Sequence, residues 1–414
     1  MVALDLDFIR GQFPALSQEV NGQPVVFFDG PGGTQVPQSV MDAIANYLTT
    51  SNANTHGAFV TSVRTDDVIT AARTAMAVFL GCDADEVVFG ANMTTLTFAV
   101  SRAIGRELQA GDEIVVTRLD HDANVTPWTV LEEQGAVIRV VDIHPEDCTL
   151  DMADLERQIS DRTKMVAVGY ASNAVGTIND VKAIAQLAHA VGALVFVDAV
   201  HYAPHGPIDV RAIDCDFLAC SAYKFFGPHV GILYGKRDHL ARLRPYKVRP
   251  ASEEGPSRWE SGTQNFEGFA GVVATIAYLT ELGYHISPTA PNRRTALLAA
   301  MSATQDYERE LFKQLVPRLL EIPGLTFYGI ADPARFEWRT PTAAIRLEGH
   351  TPRSVAQALG DRGIFVWNGN FYALNLTQRL DLESSGGLVR IGLAHYTTSD
   401  EIDRLLKALD DIVS

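Results

Sequence analysis

The chain has 414 residues, 47% hydrophobic and 20% charged, so it can form two domains and bury a core in each. Lys and Arg total 34 against 50 for Asp and Glu, which gives a formal net charge of -16. This composition excludes a largely disordered chain, and the charge argues against a nucleic-acid partner because most of the surface repels phosphate.

The N-terminus, MVALDLDFIRGQFPAL, has acidic residues where a signal peptide has basic ones. Apolar runs such as GALVFV and TALLAAM stop well short of the roughly 20 residues that cross a bilayer. The cysteines show no metal-ligand spacing and are too sparse for a disulfide framework, which indicates a reducing compartment and no metal site. They are Cys82, Cys148, Cys215 and Cys220. We therefore expect a soluble, cytoplasmic protein without a membrane partner.

Helix-period segments alternate with short β-branched runs from about residue 39 to 236, a pattern typical of βα units and a parallel sheet. Several of the runs are apolar on both faces, as in a sheet covered by helices on both sides. A helix is predicted over 181–191, with Asn179-Asp180 as its N-cap and Gly192 at its end. The strand candidates are EVVF (86–89), EIVVT (113–117), AVIRVV (136–141), KMVAVGY (164–170), ALVFVDAV (193–200), DFLACS (216–221) and GILYG (231–235).

A change in composition follows residue 240, where RLRPYKVRPASEEGPSRWESG is typical of an exposed excursion. Two helices broken near HISPTAP are predicted over 267–322, then strands near 325, 341, 363 and 388 and a last helix over 399–413. We therefore expect an α/β fold with a large domain over 26–266 and a smaller α+β domain formed by 1–25 and 267–414.

Two polar side chains follow apolar strands. Asp198 lies at the carboxyl end of one strand, which is where ligands bind in open α/β sheets. A buried carboxylate needs a partner, and a cationic ring nitrogen could be that partner. A helix cap or a salt bridge is the alternative. Lys224 follows another strand beside Tyr223 and two phenylalanines, where desolvation makes an amine nucleophilic toward an aldehyde. A surface lysine with a packed stem is its alternative. An Asp at a strand end with a later Ser-x-x-Lys before a Gly-Pro turn favours a Schiff-base lysine.

Seven segments, in order and at matching spacings, resemble the class V aminotransferase and cysteine desulfurase branch of the fold type I pyridoxal-phosphate enzymes. They are FFDGPGGTQVP, LDHDANVTPW, ASNAVGTIND, VDAVH, SAYKFFGP, RWESGTQN and LVRIGLAHYTTSDEID. The resemblance implies pyridoxal 5'-phosphate as cofactor, a mostly parallel seven-stranded sheet sandwiched by helices in the large, cofactor-binding domain, and an amino-acid substrate.

The resemblance also implies roles around the cofactor ring. Lys224 matches the lysine that holds the cofactor aldehyde and moves protons, and Asp198 matches the partner of the pyridinium nitrogen. His121 matches the imidazole stacked on the ring, with an ordinary loop histidine as the alternative. Asn173 matches a residue near ring and substrate. His201 stands where desulfurases usually have Gln and can still donate a hydrogen bond to the phenolic oxygen.

The cofactor phosphate is expected against FGANMTTLTFAVSRAI. There Asn92 can cap a helix whose free N–H groups, on Met93 and Thr94, face an anion. Ser221 and Tyr223 match further phosphate ligands, although the family commonly has His at the second position.

Three further segments concern the partner subunit and the substrate. Thr263 in SGTQN resembles the hydroxyl that reaches the phosphate from a second subunit, which implies a homodimer with shared sites. Arg390 matches the arginine that binds the substrate carboxylate. A planar guanidinium can donate two parallel hydrogen bonds to a carboxylate. A structural salt bridge is the alternative. Asn54 and His56 resemble a loop near the substrate, although its wording departs from the usual desulfurase motif.

The reaction is predicted from one departure, the loop GIFVWNGNFYALNL over 363–376. In cysteine desulfurases this loop carries the cysteine that keeps substrate sulfur as a persulfide, and our alignment places Tyr372 there. A phenol cannot hold that sulfur, and Cys215 and Cys220 fall on a core strand where thiols are usually inert. We therefore expect an aminotransferase-like enzyme acting at Cα or Cβ, with a desulfurase-like C–S lyase or an amino-acid epimerase as alternatives.

Two other function classes have less support. A nicotinamide dehydrogenase would need a GxGxxG between a first strand and helix, which the sequence lacks, and a non-catalytic relative would be expected to lose Lys224 or Asp198. The substrate is not predicted beyond a partly aromatic mouth to the site. The side chains expected there are Phe28, Trp128, Trp367, Asn370, Phe371 and Tyr372.

Overall fold

Helices and strands alternate along most of the chain, which a computed structural model describes over residues 4–413. The helices are α1 Leu6–Gly11, α2 Gln38–Thr50, α3 Val60–Leu80, α4 Met93–Gly105, α5 Thr126–Thr129, α6 Met152–Gln158, α7 Val181–Ala190, α8 Val210–Ile213, α9 Arg237–Arg242, α10 Phe266–Ile286, α11 Arg293–Leu320, α12 Pro352–Gly360, α13 Leu374–Arg379 and α14 Ser399–Val413. The strands are β1 Glu19–Val20, β2 Gln23–Pro24, β3 Val26–Phe27, β4 Val87–Gly90, β5 Glu113–Thr117, β6 Val137–Val141, β7 Ile143–His144, β8 Thr149–Leu150, β9 Thr163–Gly169, β10 Leu194–Asp198, β11 Phe217–Ser221, β12 Gly231–Gly235, β13 Leu325–Tyr328, β14 Thr342–Leu347, β15 Ile364–Phe365, β16 Trp367–Gly369 and β17 Leu388–Gly392.

A seven-stranded sheet in the order β4-β12-β11-β10-β9-β5-β6 contains all seven strands predicted over 86–235. Strand β12 runs antiparallel to both of its neighbours, and the other pairs are parallel. Every residue of β5, β11 and β12 is buried, as expected for a sheet covered on both faces. The predicted fold class, α/β with a mostly parallel seven-stranded sheet, is confirmed.

The helix predicted over 181–191 is α7, and its N-cap forms as expected. The Asp180 side chain accepts a hydrogen bond from the Ala183 N–H at 3.0 Å, and Gly192 follows the helix with φ of 78°. The predicted helix pair after residue 266 is α10 and α11, and the last predicted helix is α14. Capping and periodicity therefore located these helices correctly.

A second, antiparallel sheet has the order β13-β14-β17-β16. The strands predicted near 325, 341 and 388 belong to it, whereas the strand near 363 is β15, which pairs with β3. Strand β16 was not predicted, because it has only three residues, of which one is apolar, and it is largely exposed. It matters for the site because Trp367 pairs with Arg390 of β17.

The domain boundaries, 26–266 for the large domain and 1–25 with 267–414 for the small one, stay a prediction. Core packing crosses the predicted boundaries in both directions. Phe269, Val272 and Ile276 of α10 belong to the core around the large sheet, and Val26 and Phe28 belong to the core around the second sheet.

Helix α10 is long and apolar enough to cross a membrane by length and composition alone. The helix was predicted, but its apolar length was not, because Glu267, Glu281 and several glycines interrupt the apolar run. In the structure 56% of its apolar window is buried, and it packs against α2, α3 and α11. This packing is what the core helix of a soluble protein shows.

Candidate active site

A cavity of about 440 Å³ lies between the carboxyl edge of the large sheet and the pair β16 and β17. Parallel strands bring their carboxyl ends to one edge, so residues following β5, β9, β10 and β11 meet there. The predicted site residues that line it are Met93, Thr94, His121, Asn173, Asp198, His201, Ser221, Tyr223, Lys224, Tyr372 and Arg390.

Lys224 follows β11 in a short 3₁₀ turn. Its Nζ donates a hydrogen bond to the Pro31 carbonyl and lies 4.9 Å from the Tyr223 ring centroid. Burial, aided by the charge of Arg390 and opposed by Asp198, lowers the pKa of Lys224 to about 7. A substantial fraction of the amine is therefore neutral near pH 7, which is the form that attacks an aldehyde.

Asp198 ends β10, where its Oδ1 accepts a hydrogen bond from the Val200 N–H at 2.9 Å. Burial raises its pKa to about 6, opposed by that hydrogen bond and by the charge of Lys224. Within residues 4–413 no Lys, Arg or His lies within ion-pair distance of it. The carboxylate is thus buried, faces the cavity and is available to a cationic N–H.

His121 follows β5, and its Nδ1 accepts a hydrogen bond from the Ala123 N–H at 3.0 Å. The neutral ring therefore carries its proton on Nε2. Burial, with a smaller effect of Lys224, lowers the pKa of His121 to about 4, so the ring is neutral at pH 7. It lies nearly parallel to the Tyr372 ring, with centroids 5.5 Å apart and an angle of 16°.

Arg390 is buried on β17 and meets a loop from each side of the cavity. Its Nη1 donates to the Asn173 carbonyl at 2.8 Å, and its guanidinium lies 4.2 Å from the Phe371 ring centroid. Arg390 Nε and Asn173 Oδ1 are buried without a hydrogen-bond partner within residues 4–413. Burial lowers the pKa of Arg390 to about 9, opposed by Tyr223 and Asp29. A cation with an unpaired donor suits a carboxylate ligand better than a structural role.

The loop carrying Phe371 and Tyr372 has an unusual backbone. Both residues have positive φ, 56° and 59°, which costs energy for side chains of this size. Two main-chain oxygens anchor the loop: Phe371 O accepts from the Asn173 side chain at 2.8 Å, and Tyr372 O accepts from the Asp122 N–H at 2.7 Å. The loop is therefore fixed at the cavity mouth, with the Tyr372 side chain 72% exposed.

The predicted phosphate end of the cavity lies at the start of α4. Asn92 caps this helix as predicted, its side chain accepting from the Thr95 N–H at 2.9 Å. The Met93 N–H is not free as predicted, because it donates to Ser221 Oγ at 3.1 Å. The Tyr223 ring stacks on His229 with centroids 5.0 Å apart. The positive end of a 13-residue helix and two hydroxyl groups thus meet at one end of the cavity.

His201 differs in part from the expectation. Its Nε2 lies 3.1 Å from Thr340 Oγ1 and 3.0 Å from Thr342 Oγ1, so Nδ1 is the ring nitrogen left for a ligand. Burial, and to a lesser extent His205, holds the pKa of His201 well below its ordinary value. The predicted hydrogen bond to the phenolic oxygen therefore has to come from Nδ1 of a neutral ring.

Several predicted residues lie outside the cavity lining of this chain. Asn54, His56 and Thr263 are exposed, and the His56 side chain lies 3.5 Å from Asp66. Phe28 and Trp128 do not belong to the mouth, because both are fully buried in the cores. The predicted mouth residues that do line the cavity are Trp367, Asn370, Phe371 and Tyr372.

None of the four cysteines, all within the described residues 4–413, lines the cavity. Burial raises the pKa of Cys82 and of Cys148 to about 12. It also raises the pKa of Cys215 and Cys220, which is aided for Cys220 by nearby Asp198. All four are therefore thiols rather than reactive thiolates near pH 7.

Sequence reasoning missed Asp120, Gly32 and Asn368, which also line the cavity. Gly32 lies under the Trp367 indole so closely that a Cβ would overlap the ring. Asp120 directly precedes His121 within LDHDAN. An acidic residue beside the predicted stacking histidine was therefore the sequence signal that could have identified Asp120.

The fold, the desolvated lysine and the strand-end carboxylate define a pyridoxal-phosphate enzyme of fold type I. The chain belongs to the class V aminotransferase family, which matches residues 26–405. The family uses pyridoxal 5'-phosphate and acts on small amino-acid substrates. The cavity suits this cofactor, because Lys224 can meet its aldehyde, Asp198 its ring nitrogen and the start of α4 its phosphate.

Curated relatives agree with this assignment along the whole chain. A cysteine desulfurase from Pectobacterium atrosepticum is 34% identical, over 98% of each chain. A probable cysteine desulfurase from Halalkalibacterium halodurans is 33% identical, over 97% of this chain and 96% of that one. Among solved structures, an apo cysteine desulfurase from Thermococcus onnurineus covers 100% of this chain and 99% of its own, with a TM-score of 0.88 and 25% identity.

Proposed function

We propose that the protein is a pyridoxal-phosphate enzyme that acts at Cα or Cβ of an amino acid in an aminotransferase-like reaction without forming a persulfide. The observation that carries the proposal is a cavity that joins Lys224, Asp198, His121 and Arg390 but, within residues 4–413, no cysteine. A C–S lyase reaction is the second candidate, because the curated relatives are named cysteine desulfurases.

Each residue of the cavity has a distinct role in the proposed reaction. The bound cofactor supplies an electron-withdrawing pyridinium ring that stabilises negative charge at the substrate carbon. The Asp198 carboxylate would accept a hydrogen bond from the ring N–H and keep the nitrogen protonated. Arg390 orients the substrate through its carboxylate. Lys224 Nζ, with its lowered pKa, would take a proton from the substrate Cα and deliver it to the carbon of the cofactor aldehyde group. The indole of Trp367 and the ring of Phe371 help to exclude water from the cavity.

A spectral titration of the cofactor-loaded protein with amino acids and keto acids tests the reaction. An amino acid should convert the visible band to that of the amine form, and a keto acid should restore it. Pyruvate and sulfide released from cysteine would instead favour the C–S lyase, and loss of optical purity without either product would favour an epimerase.

Arg390→Lys is expected to raise KM for the amino acid about tenfold to a hundredfold, since lysine keeps the charge but loses the two-pronged hydrogen bonding. Steady-state kinetics should show a larger change in KM than in kcat. Arg379→Lys is the matched control, because Arg379 pairs with Asp142 outside the cavity lining. An unchanged KM in Arg390→Lys would remove the carboxylate clamp from the proposal.

Wild-type protein incubated with cysteine is expected to carry no persulfide, because burial keeps its thiols protonated and they do not line the cavity. Tyr372→Cys, which places a thiol on the anchored loop, should gain persulfide detectable by alkylation and mass spectrometry. Tyr246→Cys provides an equally exposed thiol outside the cavity lining. Persulfide on a native cysteine of the wild-type protein, at turnover rates, would contradict the exclusion of desulfurase chemistry.

We also propose a homodimer with Thr263 contributed to the partner's site. Apolar side chains on α2 and at the start of α3 are exposed, which is common at subunit interfaces. They are Met41, Leu48, Phe59, Val60 and Val63. All four cysteines are free, which supports the cytoplasmic location that we propose.

Phe59→Asp combined with Val63→Asp is expected to shift the protein to a monomer and to weaken cofactor binding, because the partner's Thr263 is lost from each site. Light scattering after size-exclusion chromatography measures the mass. Leu320→Asp, at an exposed apolar residue on α11, should leave the mass unchanged. A wild-type monomer that binds the cofactor fully would contradict the shared site.

A further inference from the structure

Asp120 is a buried carboxylic acid in the cavity wall with no role assigned so far. It precedes His121 in the loop after β5, is 4% exposed, and lines the same cavity as Asp198. Its side chain therefore lies in the same cavity wall as the expected stacking imidazole and the expected partner of the ring nitrogen.

The Asp120 carboxyl group connects three parts of the sheet edge. Its Oδ2 accepts a hydrogen bond from Thr117 Oγ1 at 3.0 Å, at the end of β5. Its Oδ1 accepts one from the Gly169 N–H, at the end of β9. Gly169 pairs directly with Asp198 of β10. The start of the His121 loop is thus tied to the strand position beside Asp198.

Gly169 is matched to this carboxyl group by its lack of a side chain. A Cβ at position 169 would overlap Asp120 Oδ1. The backbone of Gly169 has no positive φ, so space rather than conformation requires glycine here. Asp120 and Gly169 therefore form a complementary pair in which each residue type depends on the other.

The buried carboxyl groups of Asp120 and Asp198 affect each other's pKa. Burial holds the pKa of Asp120 well above its ordinary value, and nearby Asp198 raises it further, against the hydrogen bonds from Thr117 and Gly169. The pKa of Asp198 is raised to about 6, so Asp198 is mostly charged near pH 7, and its charge disfavours the charged form of Asp120.

We propose that Asp120 is a positioning residue that, through Thr117 and Gly169, holds the His121 ring at a fixed distance from Asp198, so that the two flank one cofactor ring. The proposal rests on the proposed function, since it assumes that the cofactor binds in this cavity. It goes further by assigning a role to a residue that touches neither the phosphate site nor the Arg390 clamp.

Asp120→Asn, Asp120→Ala and Gly169→Ala test it in the cofactor-loaded protein. Circular dichroism in the visible band of the bound cofactor reports how the ring sits in its asymmetric site. Asp120→Asn conserves size; its Oδ1 can accept from the Gly169 N–H and its amide group can donate to Thr117 Oγ1, so it should keep the wild-type signal. Asp120→Ala and Gly169→Ala should each lose most of it and weaken cofactor binding about tenfold or more, as expected when a supporting hydrogen bond is lost.

A double-mutant cycle adds a readout that general destabilisation does not produce. In Asp120→Ala with Gly169→Ala the new Cβ enters vacated space, so Gly169→Ala should have little further effect. Asp216→Asn is the matched control, because Asp216 is an equally buried acid beside the start of β10, at the opposite sheet edge. It should lower the melting temperature yet keep the visible signal.

The outcomes separate the two proposals. A wild-type protein with no visible cofactor signal would refute the proposed function itself. A wild-type signal that persists in Asp120→Ala, that is lost equally in Asp120→Asn, or that shows additive losses in the double mutant would overturn the positioning role alone.

Discussion

Lys224→Ala is expected to abolish borohydride-dependent attachment of the cofactor. It should also lower turnover by about two to four orders of magnitude. The first effect follows because the desolvated Lys224 amine is the group placed to meet the aldehyde. The second is the usual loss when a positioned proton-transfer group is removed. Peptide mass spectrometry after borohydride reduction measures the adduct, and single-turnover absorbance measures the chemistry.

Lys182→Ala is the control, since Lys182 is exposed on α7 and outside the cavity lining. It should keep both the adduct and the turnover. A reduced adduct on any lysine other than Lys224 in the wild-type protein would show that the cofactor is held elsewhere.

Asp198→Asn is expected to weaken cofactor binding strongly and, at the same time, to stabilise the cofactor-free protein above pH 6. The pKa of Asp198 is about 6 in the folded protein against an ordinary value of 3.8, so the folded state binds the proton more tightly than the unfolded state. Stability therefore falls as the pH rises from about 4 to 6 and stays lower above it. A pKa rise of this size corresponds to about 3 kcal/mol of folding free energy, which is the cost of burying the charged carboxylate.

Denaturant unfolding of the cofactor-free protein between pH 4 and 8 measures this effect. The variant and the wild type should agree near pH 4 and diverge above it. Asp216→Asn should instead be less stable than the wild type by about the same amount across the whole range: although burial raises the pKa of Asp216, hydrogen bonds from His239, His189 and the Val195 N–H lower it overall, so its charge stabilises the fold at every pH above about 4. A stability difference between Asp198→Asn and the wild type that stays constant over this range would show that Asp198 is not a buried charge, because other shifted groups, such as Asp29, contribute equally to both proteins.

The large sheet and much of the cavity could be predicted because their signals are local. Buried β-branched runs define the seven strands, and Asp198 and Lys224 stand out as polar residues directly after such runs. Asn92 was found in the same way, as a cap before an apolar helix.

Other features depend on contacts between distant parts of the chain. The hydroxyls at His201 come from Thr340 and Thr342, more than a hundred residues away, and no periodicity signals them. Phe28 and Trp128 were placed at the mouth because aromatic residues look alike in sequence whether they pack in a core or line a site. Asn54, His56 and Thr263 are exposed and lie outside the cavity lining of this chain, so their roles stay predictions.

The anchored loop at the mouth has a consequence for how this scaffold can diversify. The hydrogen bonds that hold Phe371 and Tyr372 to Asn173 and Asp122 use the main-chain oxygens of the two loop residues, not their side chains. The side chain at position 372 can therefore be exchanged for a thiol, a phenol or an amide while the loop keeps its path. A change of side chain at position 372 therefore needs no change in the cavity wall that carries it.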